Sequence, residues 1–290
     1  SVLKGNPHVN EIFVLKKPFL FSLGKLYFLL KKQQIDAALV FHHSQRMVLP
    51  LCFFINAKEI IATEGSNKGL DFILSTKIKN SPVHEITRRL AIIQSVGIKK
   101  KIEAKLEFYF DQEDEKKAAV FLQNHSLVSQ KIIGIHPGAK DKYKQWAPAC
   151  FVEIGKRLSQ EGCRIIVTGN RFETTLVEEI ASQIPDAIAL KGELEIGAFG
   201  ALLKKMLLFI CNDTGPMHLA FALDTPTLGL FAPTDAKICG PFLASRAVVI
   251  QKNKTCTPCL RKKCRDPFCL MQISPEEVYA EALKLIQRAS

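Results

Sequence analysis

The sequence predicts an α/β fold built on a parallel sheet, and three observations carry that expectation. Short apolar, β-branched runs recur through the second half: Lys131-Ile132-Ile133-Gly134-Ile135, Arg164-Ile165-Ile166-Val167-Thr168, Leu207-Leu208-Phe209-Ile210-Cys211 and Thr227-Leu228-Gly229-Leu230-Phe231. Each run ends in a turn of small or polar residues. Stretches of helical periodicity, such as Phe151–Leu158 and His218–Leu223, separate them. Strands that alternate with helices pair in parallel, and ligands of such sheets bind at the carboxyl ends of the strands.

Taken in order, residues 35–41 read as a buried strand, 58–62 as a short one, and His84–Val96 as an amphipathic helix. The lysine run Lys99–Lys101 and the polar segment Asp111–Lys117 bracket a strand-like alternation, Leu106-Glu107-Phe108-Tyr109-Phe110. Asp114–Gln123 reads as a helix. Asn124–Gln130 is the expected boundary, which divides the chain into domains 1–127 and 128–290. A length of 290 residues with 47% apolar content is enough for two cores.

Composition narrows the function classes. Mean hydropathy is +0.08, yet Phe19–Leu30 is broken by Ser22, Gly24 and Lys25, and Val48–Ile55 is too brief to span a bilayer. No segment reads as a secretory signal, so a cytoplasmic location is expected. Formal net charge is +12, with 19 basic and 12 acidic residues before position 128 and 21 and 16 after it. A basic surface suits nucleic acid, anionic lipid or a phosphorylated glycolipid, or is simply a solvated face. No helix-turn-helix, RNP or zinc-finger pattern accompanies the charge, so nucleic acid is not expected.

The most informative turn is Asn212-Asp213-Thr214-Gly215-Pro216-Met217-His218, placed directly after an apolar strand. A strand–turn–helix junction aims free N–H groups and the positive end of a helix dipole at one spot, which suits phosphate oxygens. No GxxxxGK[ST] motif occurs, so the pattern fits a nucleotide-diphosphate site other than a P-loop. Small polar turns after strands are common, and in isolation this one favours a plain structural turn. It recurs, however, with Ile133-Gly134-Ile135-His136-Pro137-Gly138-Ala139 followed by Lys144 and Trp146, with Ile166-Val167-Thr168-Gly169-Asn170, and with Thr225–Asp235.

The ordered set IGIHPGA with K-Q-W, IIVTGN with a following Glu, NDTGPMHLA, TPTLGLFAPTD and CTPCLRKKC with ISPEEV resembles the ADP-heptose:lipopolysaccharide heptosyltransferases, glycosyltransferase family 9. The resemblance covers residues 130–290 closely. Before them it is looser, over Gly5–Ile12, Ile35–Val40 and His84–Leu90. It implies a GT-B-like fold, two Rossmann-like domains facing a cleft, acceptor side first and nucleotide-sugar side second. It also implies transfer of heptose from ADP-heptose to the lipopolysaccharide inner core, by direct displacement with inversion and without a divalent ion or other cofactor. The acceptor is a phosphorylated glycolipid, which places the enzyme peripherally at the inner membrane surface.

Site residues follow from the same resemblance. Lys144 and Asp213 take catalytic positions, Lys144 neutralising the departing diphosphate and Asp213 orienting the loop or holding sugar hydroxyls. Thr168, Gly169, Glu173, Asp213, Thr214, Gly215 and His218 line the nucleotide-sugar side. For Glu173 the alternative is a helix N-terminal acid favoured by the dipole, and for His218 a structural cap. Arg46, after the strand ending at Phe41, is the acceptor-phosphate candidate. The family's Gly-Asp loop, whose aspartate deprotonates the acceptor, has no counterpart, since no Gly-Asp dipeptide occurs. The N-terminal domain is therefore expected to be incomplete. His42 or His43 could in principle stand in as the base, although histidines after a strand are more often plain polar loop residues, and residues 1–290 alone are expected to bind ADP but transfer little. A catalytically silent nucleotide-sugar-binding fragment or partner protein is the alternative function, and a basic zinc-containing nucleic-acid binder a third.

Of nine cysteines, Cys52, Cys150, Cys163, Cys211 and Cys239 stand singly in apolar or helical contexts and read as inert thiols. Cys256, Cys259, Cys264 and Cys269 are spaced C-x2-C-x4-C-x4-C. A structural zinc, free thiols and redox pairing are all open there, and no metal is assigned to the catalytic site.

Overall fold

The structure is a computed structural model. It describes all residues except 16, 42–46, 99–103, 255, 257, 258, 260–263, 265, 266 and 290. The chain forms two compact units, Asn10–Ala104 and a larger one that joins Ser1–Val9 to Lys105–Ser290.

The smaller unit contains α1 (Phe19–Lys31), β1 (Ala37–Val40), α2 (Val48–Phe54), β2 (Glu59–Thr63), β3 (Thr76–Ile78) and α3 (Glu85–Gln94). Its sheet is parallel, in the order β1-β2-β3. The expected strands at 35–41 and 58–62 are present, although only Val40 of β1 is buried. His84 starts α3 as its N-cap, with Nδ1 accepting the Ile86 N–H at 3.2 Å.

The larger unit runs α4 (Gln112–Asn124), β4 (Ile132–His136), α5 (Pro148–Gln160), β5 (Arg164–Thr168), α6 (Thr174–Ala181), β6 (Ile188–Leu190), α7 (Ile196–Leu203), β7 (Leu208–Asn212), α8 (Gly215–Ala222), β8 (Thr227–Phe231), α9 (Ala236–Cys239), β9 (Ala247–Gln251), α10 (Phe268–Met271) and α11 (Pro275–Ala289). All six strands pair in parallel, in the order β6-β5-β4-β7-β8-β9. That is the doubly wound order, with strands added outward on one side and then on the other. Alternate residues of each strand supply opposite cores. Ile133, Ile135, Ile165, Val167, Leu208 and Ile210 face one, with α5, α6 and α11. Ile132, Ile166, Phe209, Cys211 and Phe231 face the other, with α7 and α8. Burial on both faces is why the strands read as unbroken apolar runs.

Leu106–Phe110 departs from expectation and forms no strand. Leu106, Phe108 and Phe110 pack instead on the second core, and Phe108 lies against Gly200 of α7, where any Cβ would collide with its ring. The alternation is real, but it buries side chains against a helix and not in a ladder. Next, Asp111 and Asp114 form a capping box that starts α4, worth about 1 kcal/mol. The compact units therefore divide before the boundary expected at Asn124–Gln130, because α4 packs on α7.

Candidate functional site

In the doubly wound order the chain switches sides between β4 and β7, and the loops at their carboxyl ends part to leave a crevice. Asn212, the last residue of β7, bridges that switch. Its side chain is fully buried. Nδ2 donates to the Pro137 carbonyl at 2.8 Å, and Oδ1 accepts the Trp146 N–H at 3.1 Å. Trp146 is in turn fixed by its indole N–H, which donates to the Ile273 carbonyl at 3.0 Å, and by an edge-on contact with Phe151.

With the loop so held, Lys144 reaches across the same switch to Asp213, Nζ to Oδ2 at 2.6 Å. The Asp213 carboxylate is 7% exposed and the Lys144 side chain 19%. Burial acts to lower the Lys144 pKa, but the hydrogen bond and charge of Asp213 outweigh it and hold the amine above the usual lysine value. The same Asp213 oxygen accepts the Thr234 hydroxyl at 2.5 Å, from the loop after β8. Oδ1 of Asp213 has no partner among the described residues. Three loops thus converge on one carboxylate whose second oxygen stays available to a ligand hydroxyl.

Thr214 is the N-cap of α8 and makes no side-chain cap. Pro216 carries no N–H, and that of Met217 turns back to the Thr214 carbonyl at 3.2 Å. The N–H of exposed Gly215 is therefore the first-turn donor that no described residue accepts, and the space around its Cα is open. His218 is exposed one turn on, its ring edge-on to Phe221 at 5.9 Å.

Glu173 and Gly169 form a neighbouring group after β5. Glu173 Oε2 accepts the Asn170 backbone N–H at 2.9 Å and its side-chain amide at 2.6 Å. The Glu173 carboxylate lies against Gly138 of the β4 loop, where a Cβ would collide with it. Glu173 does stand at the N-cap of α6, but it makes no side-chain cap there. Thr168, at the end of β5, is buried, and its hydroxyl is engaged by His136 Nδ1 at 2.9 Å and the Ile135 carbonyl at 3.3 Å. Burial lowers the His136 pKa to about 4. Arg46, His42 and His43 lie outside the described residues.

Two residues of this site were not singled out in the sequence, although both stand inside quoted motifs. Asn212 precedes Asp213 and looks like the end of a strand, and nothing local shows that its amide spans two loops. Thr234 is one hydroxyl among several in Thr225–Asp235. Replacing Thr234 by Val keeps the shape and removes a hydrogen bond to a charged group, so stability should fall by about 1.5–3 kcal/mol. Thr234→Ser should restore most of it, as read from urea unfolding. A loss confined to Thr234→Ser, with Thr234→Val as stable as the wild type, would show that the methyl packing matters and the hydroxyl does not.

Burial raises the pKa of Cys52, Cys150 and Cys163, and that of Cys211 far more, which removes thiolate character. Cys269 is buried. Among the described residues no three His, Cys, Asp or Glu side chains gather as a metal site would need.

Known proteins resemble this chain in sequence and in fold. Residues 24–268 match glycosyltransferase family 9 (heptosyltransferase). Lipooligosaccharide heptosyltransferase 2 of Campylobacter jejuni is 28% identical over 167 residues in one strain and 27% identical over 218 in another. These alignments cover 55% and 72% of this chain, and 52% and 66% of the relatives' own length. In fold, a glycosyl transferase family 9 protein from Veillonella parvula superposes with a TM-score of 0.87 at 20% identity, covering 99% of this chain and 85% of that one. E. coli ADP-heptose lps heptosyltransferase II gives 0.73 at 22% identity, covering 93% and 82%. The expected α/β, GT-B-like fold class holds. The match to residues 24–268 takes in most of the chain, and the protein belongs to glycosyltransferase family 9, the heptosyltransferase family.

Proposed function

We propose that this protein is a glycosyltransferase that moves heptose from ADP-heptose to the inner core of lipopolysaccharide. The observation that carries the proposal is the Lys144–Asp213 pair, set across the strand switch and immediately before the N-terminus of α8. A leaving diphosphate gains negative charge as the anomeric bond breaks. The Lys144 ammonium, the Gly215 N–H and His218 are the donors that meet it there, and donors placed in advance lower the barrier because they need not reorganise. Asp213 keeps Lys144 charged and aimed, and offers its second oxygen to a sugar hydroxyl. Glu173 takes the ribose hydroxyls, while Thr168 and Gly169 contribute backbone. Acceptor recognition falls to the smaller unit, Asn10–Ala104, with Arg46 as the phosphate contact, and nucleotide-sugar binding to the larger one.

No described helix is long and apolar enough to cross a membrane. The acceptor glycolipid brings the enzyme to the cytoplasmic face of the inner membrane, held peripherally. The activity of the Campylobacter jejuni lipooligosaccharide heptosyltransferases and the ADP-heptose donor of the E. coli enzyme support the choice of donor and acceptor. Titration calorimetry with ADP, beside an assay of ADP release from ADP-heptose with core acceptor, tests the reading. Gly215→Val should weaken ADP at least tenfold, since the space it fills is the approach to the phosphates. ADP affinity equal in both proteins would remove the site from α8.

A further inference from the structure

The amino ends of the same strands, on the edge of the sheet remote from Lys144 and Asp213, border a half-open pocket of about 630 Å³. Its rim carries Lys131 before β4, Lys204 and Lys205 between α7 and β7, and Arg246 before β9, with Asp224 as the one carboxylate. Apolar residues, among them buried Ile132 and Met206, line it as well. None of the four cations pairs with a carboxylate among the described residues. Arg246 is anchored through Nη1 to the Asp224 backbone carbonyl at 3.4 Å, which leaves its other donors directed elsewhere. Lys204 sits over the Phe110 ring at 5.9 Å. By contrast Lys58, Lys191, Lys252 and Lys284 on the same protein are each ion-paired.

Residues 128–290 carry 21 basic and 16 acidic side chains, and this one concavity holds four of those cations against one acid. Complementing a helix C-terminus accounts for Lys204, the C-cap of α7. It does not account for Lys131 and Arg246, which precede strands. The volume falls in the range that small-molecule sites occupy. Four cations beside apolar lining residues fit an anion joined to a less polar body.

We infer that this cavity is a second anion site, taking the phosphate of a small phosphorylated molecule, distinct from the site at the carboxyl ends of the strands. Lys and Arg supply point and forked donors for phosphate oxygens. The inference does not depend on the heptosyltransferase reading, because it concerns the opposite edge of the sheet. The probe is inorganic pyrophosphate, titrated calorimetrically into the whole chain with and without saturating ADP. The wild type should keep a pyrophosphate site under saturating ADP. The variant Lys204→Gln/Lys205→Gln/Arg246→Gln should bind there at least tenfold more weakly with an unchanged Tm, and Gly215→Val should leave that binding intact. A phospholipid headgroup as the source would show as sedimentation with phosphatidylglycerol vesicles, lost in the triple variant and competed by pyrophosphate. A free phosphoester would show as pyrophosphate binding without vesicle binding. Complete displacement of pyrophosphate by ADP, or equal affinity in the triple variant, would overturn the inference.

Discussion

Asp213→Ala should lower heptosyl transfer by about 10²–10³-fold, the range seen when a preorganised charge-stabilising contact is removed. The variant leaves a largely buried Lys144 without its counter-ion, and Thr234 without its acceptor. An unpaired ammonium in that position has two outlets: it swings towards solvent or gives up its proton. Either removes positive charge from where the diphosphate departs. ADP affinity should change much less than kcat, because the charge on the leaving group grows only as the bond breaks. The pair should also act as a unit. Lys144→Met and the double variant should each be about as slow as Asp213→Ala, since the second substitution removes a group already misplaced. Additive losses in rate would mean that the two side chains serve separate steps, and the shared role would be wrong.

The second large effect is on stability against acid. His136 is buried at the end of β4 with its Nδ1 on Thr168, and burial holds its pKa at about 4 against an ordinary value of 6.5. Between those values the unfolded chain binds a proton that the folded chain refuses. Stability therefore falls as pH drops from 6.5 towards 4, and this residue leaves it unchanged above that window. The gap corresponds to about 3 kcal/mol. Denaturant unfolding at pH 7 and at pH 4 should show the wild type losing about that much more than His136→Gln. An imidazole titration followed by NMR should place the midpoint near 4. Parallel losses in both proteins, or a midpoint near 6.5, would show that the ring meets solvent.

Much of the larger unit was legible because its strands are buried on both faces and each ends in a turn rich in Gly, Pro or Asn. Ile132–His136, Arg164–Thr168, Leu208–Asn212 and Thr227–Phe231 all announce themselves in that way. Ile188–Leu190 and Ala247–Gln251 were not separated from their surroundings. One has three residues, and the other lies at the sheet edge, where burial is partial and the apolar signal weak. Leu106–Phe110 misled for the opposite reason, since alternation reports a one-sided burial and not the partner that provides it. At the site, Lys144 and Asp213 stood out as residues, but their pairing across the strand switch did not. That pairing depends on Asn212, whose amide joins segments 66 and 75 residues away, and no local pattern encodes a contact so distant.

The indole of Trp146 adds a temporal dimension. Its hydrogen-bond acceptor, Ile273, is made 127 residues later in the chain. Synthesis proceeds at about 5–20 residues per second and domains fold as they emerge, so the segment carrying Lys144 waits several seconds on the ribosome for the strut that fixes it. During that interval the sheet can begin to form, because β4 and β5 are neighbours in sequence and in space. The Lys144 loop has local contacts, Trp146 against Phe151 and the Gln145 amide on the Ala139 carbonyl at 2.9 Å, but none of them holds the indole N–H. Its final geometry belongs to the last stage of maturation, and a nascent chain carries the lysine well before it can hold it in place.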